Sequence, residues 1–418
     1  MARDILENLT HTLIGWAAGE SLAQSTRAPG SGLTPEVRRS LFVAIAAIGG
    51  NLPDLDLAWS FGRGNKLGYL LQHRGYTHTV VGCLVLAGLL YLAVEFRMRR
   101  RHLRPTPRDR LMLLAVAVFG TLLHLAMDSL NSYGVHPFWP AENRWFYGDS
   151  VFIVEPLFWV CSAPLFFLAR SVLARVLVGL SLVAAWLGAF AVHGLHPGWL
   201  LGFAVGIAAL LTVGRKVSAR AASLISLATM ACVTGVFVLA GNAAARQIRT
   251  IAEADFPGGQ LIDHVLTPVS TNPVCWDVIL LETSGDRYTA RHGLLSIAPG
   301  LEPASRCSTV PGRRGAGTTA PMTTVAAAEL PGMHWLGEFS MPRRQLADLV
   351  AGHCEAQELM QFVRAPFATE YRQAWVLGDL RFDQERGLGM SEIELRAPGR
   401  EDCSYHVPWV PPRANLLR

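Results

Sequence analysis

Long apolar runs separated by short arginine-bearing loops dominate residues 1–242 of the chain. Seven runs read as full or nearly full membrane spans, at 41–58, 76–96, 111–131, 152–170, 172–193, 197–214 and 219–241. Each approaches the ~20 residues that a helix needs to cross a bilayer. An eighth, weaker run at 9–23 carries His11, Glu20 and two glycines and reads as a short span or a re-entrant helix. After residue 242 the pattern changes. Alternating runs at 276–283 and 287–296, with Ser284-Gly285-Asp286 between them, predict a hairpin. Residues 298–332 are rich in Pro, Gly, Ala, Ser and Thr and predict a long loop. Helical periodicity follows over 342–362, then candidate strands at 372–382 and 391–396. The expected fold is a polytopic α-helical membrane protein of 7–8 membrane segments with a small C-terminal α+β extracytoplasmic domain. Its expected parts are 1–160, a set of additional transmembrane helices at 161–242, and the tail 243–418.

Composition agrees with that pattern. Of 418 residues, 51% are hydrophobic and 17% charged, too apolar for an ordinary soluble chain. The net charge of +5 is almost all arginine, since Lys66 and Lys216 are the only lysines. The basic residues lie in short loops between apolar runs rather than on one soluble face, so no nucleic-acid partner is expected. The 97–110 loop holds seven arginines against Asp109 alone, which makes it cytoplasmic by the positive-inside rule. The His73–His78 loop, the 132–150 loop and the tail then fall on the outer side. Cys275, Cys307, Cys354 and Cys403 lie in that tail, an even number where disulfides form, with three pairings open. Cys83, Cys161 and Cys232 lie in spans as packed apolar residues.

Chemistry concentrates where the spans end. His124 and Asp128, four residues apart, share one helical face, a common way to hold a metal ion. Ionisable groups inside a span are costly in lipid and are functional candidates by default. Asn51-Leu-Pro-Asp-Leu-Asp56 places two carboxylates after Gly49 and Gly50, where one binds metal and the other orients a histidine. His73-Arg-Gly-Tyr-Thr-His78 sets two histidines about Gly75, with Arg74 offering a donor fork to an anionic oxygen. Along a helix, His124 and Asp128 lie ~21 Å and ~27 Å from Arg110, near the outer side.

These motifs resemble the membrane-bound metal-dependent hydrolases of YdjM type. The resemblance rests on Thr10-His11-Thr12, Asn51–Asp56, His73–His78, His124-Leu-Ala-Met-Asp128, Tyr133-Gly134, Phe138-Trp-Pro140 and Asp149–Pro156. It covers the first 160 residues well and the rest only loosely, through Thr271-Asn-Pro273 and Trp276. The family pattern reads Asp-Pro at the last motif, where this chain has Glu155-Pro156. The order His, Asp, His, His-x-x-x-Asp is also similar to the zinc-dependent phospholipase C and nuclease superfamily.

The resemblance implies a hydrolase. His11, Asp54, His73, His78, His124 and Asp128 would hold two or three divalent ions, zinc being the expected metal. Asp56 and Arg74 would serve catalysis, with Asp149 and Glu155 as orienting or additional ligands. The substrate expected is a small or lipid-linked phosphoester at the surface of the inner-membrane bilayer. The alternatives are an ion or solute transporter, which would place its charges at the midplane in repeated halves, and a non-catalytic sensor or scaffold whose tail binds a partner. Topology has a direct check. A periplasmic-phosphatase fusion after residue 245 is expected to be active and one within 99–108 silent; the reverse pattern would put the tail in the cytoplasm.

Overall fold

The structure is a computed structural model describing residues 2–26, 30–58, 66–193, 197–307, 319–326, 330–383, 388–396 and 403–417. Two helices begin the chain, α1 (Ala2–Ser25) and α2 (Pro35–Gly49). They pack tightly because α1 presents Gly15 and Gly19, four residues apart, to the backbone of α2. A Cβ on either glycine would stand 2.6 Å from the carbonyl oxygen of Ala46 or Phe42. Small residues at this spacing let helix backbones approach where lipid offers no hydrophobic drive. Thr34 caps α2 by accepting from the Val37 N–H. A short helix, α3 (Lys66–Gln72), precedes the hairpin of α4 (Val80–Arg100) and α5 (Pro107–Asp128). Thr79 caps α4, and Thr106 with Asp109 forms a capping box on α5. Both helices start or end beside the histidine motifs, at the opposite end of the hairpin from the arginine loop.

Beyond these lie α6 (Pro156–Cys161), α7 (Val172–His193), α8 (Pro197–Lys216) and the 37-residue α9 (Ala219–Asp255). Among the described residues, α4, α5 and α9 are long and apolar enough to cross a membrane. Their exposed side chains, such as Leu84, Leu89 and Leu92 of α4 and Leu239 of α9, are apolar, as a lipid-facing surface requires.

Three predicted segments take other forms. The run 41–58 is no single span: α2 ends at Gly49 after 15 residues, and a 3₁₀ turn at Pro53–Leu55 follows. The run 152–170 breaks into α6 and a 3₁₀ turn at Ala163–Phe167, where Pro164 lacks the N–H that a continuing helix needs. Its apolarity serves a core: Phe158, Trp159 and Leu165 are buried, the first two in a cluster with Leu13, Val178 and Met230. The weak run at 9–23 lies within the 24-residue α1.

α9 crosses residue 242 without interruption. Ala244, Ile248 and Ile251 pack on Trp276, Val278 and Leu295, so its end belongs to the core of the tail rather than to a boundary. The tail holds a four-stranded antiparallel sheet, β1 (Gln260–Val269), β2 (Asn272–Ser284), β3 (Arg287–Ser296) and β4 (Met333–Pro342), in that order. The hairpin at 284–287 is as predicted, with Ser284 opposite Arg287 and Gly285 at φ 56°. β1 and β4 lacked clear alternation and were not anticipated. The helical stretch divides into α10 (Arg343–Gly352) and α11 (Cys354–Met360). A second sheet joins β5 (Pro366–Tyr371), β6 (Ala374–Asp379) and β7 (Ile393–Glu394). The predicted strand 372–382 is thus a turn followed by β6. Of the long loop 298–332, residues 308–318 and 327–329 lie outside the described residues. Cysteine pairing resolves to Cys275–Cys307 and Cys354–Cys403.

The tail is not a separate body. Its core takes in Leu67, Leu70 and Leu71 of α3 together with Tyr133 and Trp145. Gly15 provides the test of the α1–α2 contact. Gly15→Leu is expected to cost ~1–3 kcal/mol by forced overpacking, whereas Gly88→Leu, where a Cβ meets nothing within 4 Å, is expected to be neutral in thermal unfolding of the detergent-solubilised protein.

Candidate metal centre

Four segments converge at one level: α1, the turn after α2, the 73–78 loop, and the last turn of α5. The α-helical spacing of His124 and Asp128 puts both on the inner face of α5, fully buried. The 3₁₀ turn at Pro53–Leu55 brings Asp54 to them, and a second at Tyr76–His78 brings His78. One donor atom from each of Asp54, His78, His124 and Asp128 lies within 4.8 Å of all the others.

The distances inside this set test whether it fits a metal. His78 Nε2 is 3.3 Å from Asp54 Oδ1, 3.1 Å from Asp128 Oδ2 and 3.1 Å from His124 Nε2. His124 Nε2 is 3.6 Å from Asp54 Oδ1 and 3.4 Å from Asp128 Oδ2. These are five of the six edges of a tetrahedron. The centre of a regular tetrahedron with such edges lies ~2.0 Å from each corner, the usual zinc–nitrogen and zinc–oxygen distance.

The tautomers reinforce the fit. His124 Nδ1–H donates to the Gly50 carbonyl at 2.8 Å, which leaves Nε2 a bare lone pair. His78 Nδ1 faces Asp56 Oδ2 at 3.2 Å and Thr77 Oγ1 at 3.0 Å, which turns its Nε2 inward. Two lone pairs at 3.1 Å, flanked by two carboxylates, repel one another unless a cation or proton lies between them. Asp128 Oδ2 is buried with Arg74 Nε 3.2 Å away, yet among the described residues it accepts no hydrogen bond of good geometry. The donor set therefore fits a divalent ion.

Asp56 supports the set from behind. It accepts from His73 Nδ1 at 3.0 Å, from Thr77 Oγ1 at 2.8 Å and from the Arg74 backbone N–H at 2.9 Å. Arg74 is held at φ 58°, a left-handed conformation that costs energy outside glycine, and this places its N–H on Asp56. Asp56 is thus the orienting carboxylate, and Asp54 stands among the donors.

Arg74 departs from expectation. Its guanidinium is completely buried, with Nη1 donating to Asn131 Oδ1 at 3.0 Å, Nη2 on Glu7, and Nε 3.2 Å from Asp128 Oδ2. The fork foreseen for a substrate oxygen is spent on the protein's own carboxylates. Glu7, His11 and Asp128 form a second grouping, and Asp54, Asp56 and His73 a third. Arg74 already brings positive charge to the second, and His73 and Asp56 satisfy each other in the third.

His11 Nε2 stands 3.2 Å from Asp128 Oδ1, and its ring stacks on His124 with centroids 4.0 Å apart. Its Nδ1 has no hydrogen-bond partner among the described residues.

Asp149 and Glu155 belong to none of these groupings. Asp149 receives both terminal nitrogens of Arg364 at 2.8 Å each, and Arg364 also holds Asp263. Glu155 caps α6 through Leu157 N–H and accepts the Thr271 N–H at 2.9 Å. Burial lifts its carboxyl to about 7, with those two donors opposing the rise. Both residues tie the helical part to the tail instead of ligating. Glu7 and Asn131 were missed, although Glu7 lies one helical turn before His11 and so shares its face.

Residues 6–199 match the family model described as YdjM inner membrane protein. No curated protein and no solved structure matches the chain.

Metal analysis tests the centre. Purified protein supplied with zinc is expected to carry about one ion per chain, and His124→Ala or Asp54→Ala to lose it. Asp56→Asn is expected to keep the fold and weaken zinc binding by ~10–100-fold, the usual effect of an orienting partner. Protein free of metal after zinc supplementation would remove the centre.

Proposed function

We propose that this chain, whose residues 6–199 match the family model described as YdjM inner membrane protein, is a membrane-embedded metal-dependent hydrolase acting on a phosphoester. The observation carrying this reading is the tetrahedron of Asp54, His78, His124 and Asp128, buried at the end of α5 beside an uncommitted histidine. A divalent ion held there would act as a Lewis acid and bring the pKa of a water toward ~7.

The chain's own residues would do the rest. His11, anchored through Nε2 on Asp128, keeps an Nδ1 without a partner among the described residues, and this atom can take a proton from the attacking water. Asp56 fixes the rotamer and tautomer of His78. Arg74 offsets the charge of Glu7 and Asp128, which lets a cluster so rich in carboxylates remain buried. The expected count of two or three ions narrows to one, because Arg74 supplies the positive charge at Glu7 and Asp128. Phosphoester chemistry is supported by the His, Asp, His, His-x-x-x-Asp order, without help from Arg74. The placement of site and tail on the outer side is supported by the seven arginines of the 97–110 loop at the far end of the α4–α5 hairpin.

A second reading has one observation in its favour. Four protein donors are the pattern of a structural zinc, whereas catalytic zinc keeps a position for water. Turnover of bis(p-nitrophenyl) phosphate by zinc-loaded protein decides between them. The hydrolase reading expects metal-dependent turnover that His11→Gln lowers by ~10²-fold or more at unchanged zinc content. Zinc without turnover would leave a structural ion, and loss of zinc in the His11 variant would make His11 a ligand.

A further inference from the structure

A cavity of about 660 Å³ opens beside the metal centre, between α1, α5 and α9. One end is polar, formed by Glu7, His11, Asp128 and Asn131. The walls are apolar, with Ile14, Leu123, Phe158 and Met230 among them. Its outer edge carries small exposed residues, Ala126 on α5 and Ala231 and Gly235 on α9. α9 packs on α1 and α6, while α5 packs on α2 and α4, which leaves the gap between α5 and α9. Both flanking helices are apolar enough to cross a bilayer.

The opposite, polar approach is roofed by the tail. Arg381 donates to the carbonyls of Ser132 and Tyr133 at 2.7 and 3.2 Å, and Trp409 Nε1 donates to the Leu71 carbonyl at 3.0 Å. His136 stacks on Trp409 with centroids 3.9 Å apart and meets Trp145 at a tilt, 3.8 Å away. The loops bearing His73, His78 and Asn131 are thus pinned beneath the tail.

We infer that the cavity receives the hydrocarbon chain of a membrane amphiphile, which enters sideways between α5 and α9 and brings its phosphate headgroup to His11 and Asp128. A cavity that is apolar except at one end, where Arg74 offsets Glu7 and Asp128, complements a molecule with a long hydrocarbon chain and a single polar head. The volume lies within the ~300–1,000 Å³ of ligand pockets. The inference rests on the hydrolase reading only for what happens to the headgroup.

The test uses zinc-loaded full-length protein in nanodiscs containing a phosphatidic acid with a diazirine near its acyl terminus. Adducts are expected at Leu123, Leu227 and Met230, in excess over outward-facing Leu84 and Leu89. A Cβ at Gly235 meets nothing within 4 Å, so Gly235→Trp with Ala231→Trp can be accommodated at the opening. That double variant should keep its zinc and lose cavity adducts by about tenfold, since a filled cavity excludes the chain. Adducts spread evenly over the exposed faces of α4 and α9, unchanged by the tryptophans, would overturn the inference. Bis(p-nitrophenyl) phosphate needs no chain and separates the two ideas. Its turnover without cavity adducts removes the amphiphile and spares the hydrolase, whereas cavity adducts without its turnover support the amphiphile site and remove the hydrolase.

Discussion

Four carboxylates share one buried cluster, and their charge must be balanced by the cations around them. Asp54, Asp56, Asp128 and Glu7 lie within one cluster, and Arg74 is the arginine that meets them. Burying unpaired carboxylates costs several kcal/mol each, so such a cluster persists only with cations inside it. Arg74 meets the part near Glu7 and Asp128. The histidines, with Nδ1 committed to Gly50 or Asp56, turn Nε2 toward the remainder. A divalent ion would resolve that conflict, and each neighbouring element can be understood as holding the donors in place.

Holding them requires rigidity on both sides. On the membrane side, Gly15 and Gly19 bring the α1 and α2 backbones together, so that Gly50, ahead of the turn bearing Asp54, lies against the His11 carbonyl. On the other side, the tail clamps the ligand-bearing loops with Arg381, Trp409 and the Arg364–Asp149 pair. Three residues with left-handed backbone mark these joints. Arg74 and Thr271 each give an N–H to a buried carboxylate, and Asp149 grips Arg364. Their strain is offset by charge-assisted bonds.

Helical spacing made His124 and Asp128 legible as a pair, because a four-residue interval fixes a shared face whatever the surroundings. The density of His73–His78 and the two carboxylates after Gly49-Gly50 were legible for a similar reason: ionisable groups seldom sit at apolar edges without a partner. The hairpin at 284–287 was announced by its turn residues. The run 152–170 was misread because hydropathy does not distinguish a side chain facing lipid from one facing a protein core, and Phe158, Trp159 and Leu165 face the core.

Arg74 illustrates the other limit. Its sequence context, between two histidines, suits a substrate-binding arginine, and only the fold brings Glu7 and Asn131 to it from 67 and 57 residues away. The same holds for Asp149 and Glu155, whose partners Arg364 and Thr271 lie in the tail. Local spacing and hydrophobic pattern, set by backbone geometry, determined the apolar helices α4, α5 and α9, the hairpin of the tail and the residue types of the centre. Which carboxylate joins the donor set, which orients a histidine and which ties two parts together was decided by tertiary packing. Those roles depend on distances of a few ångströms between residues that the chain itself keeps far apart.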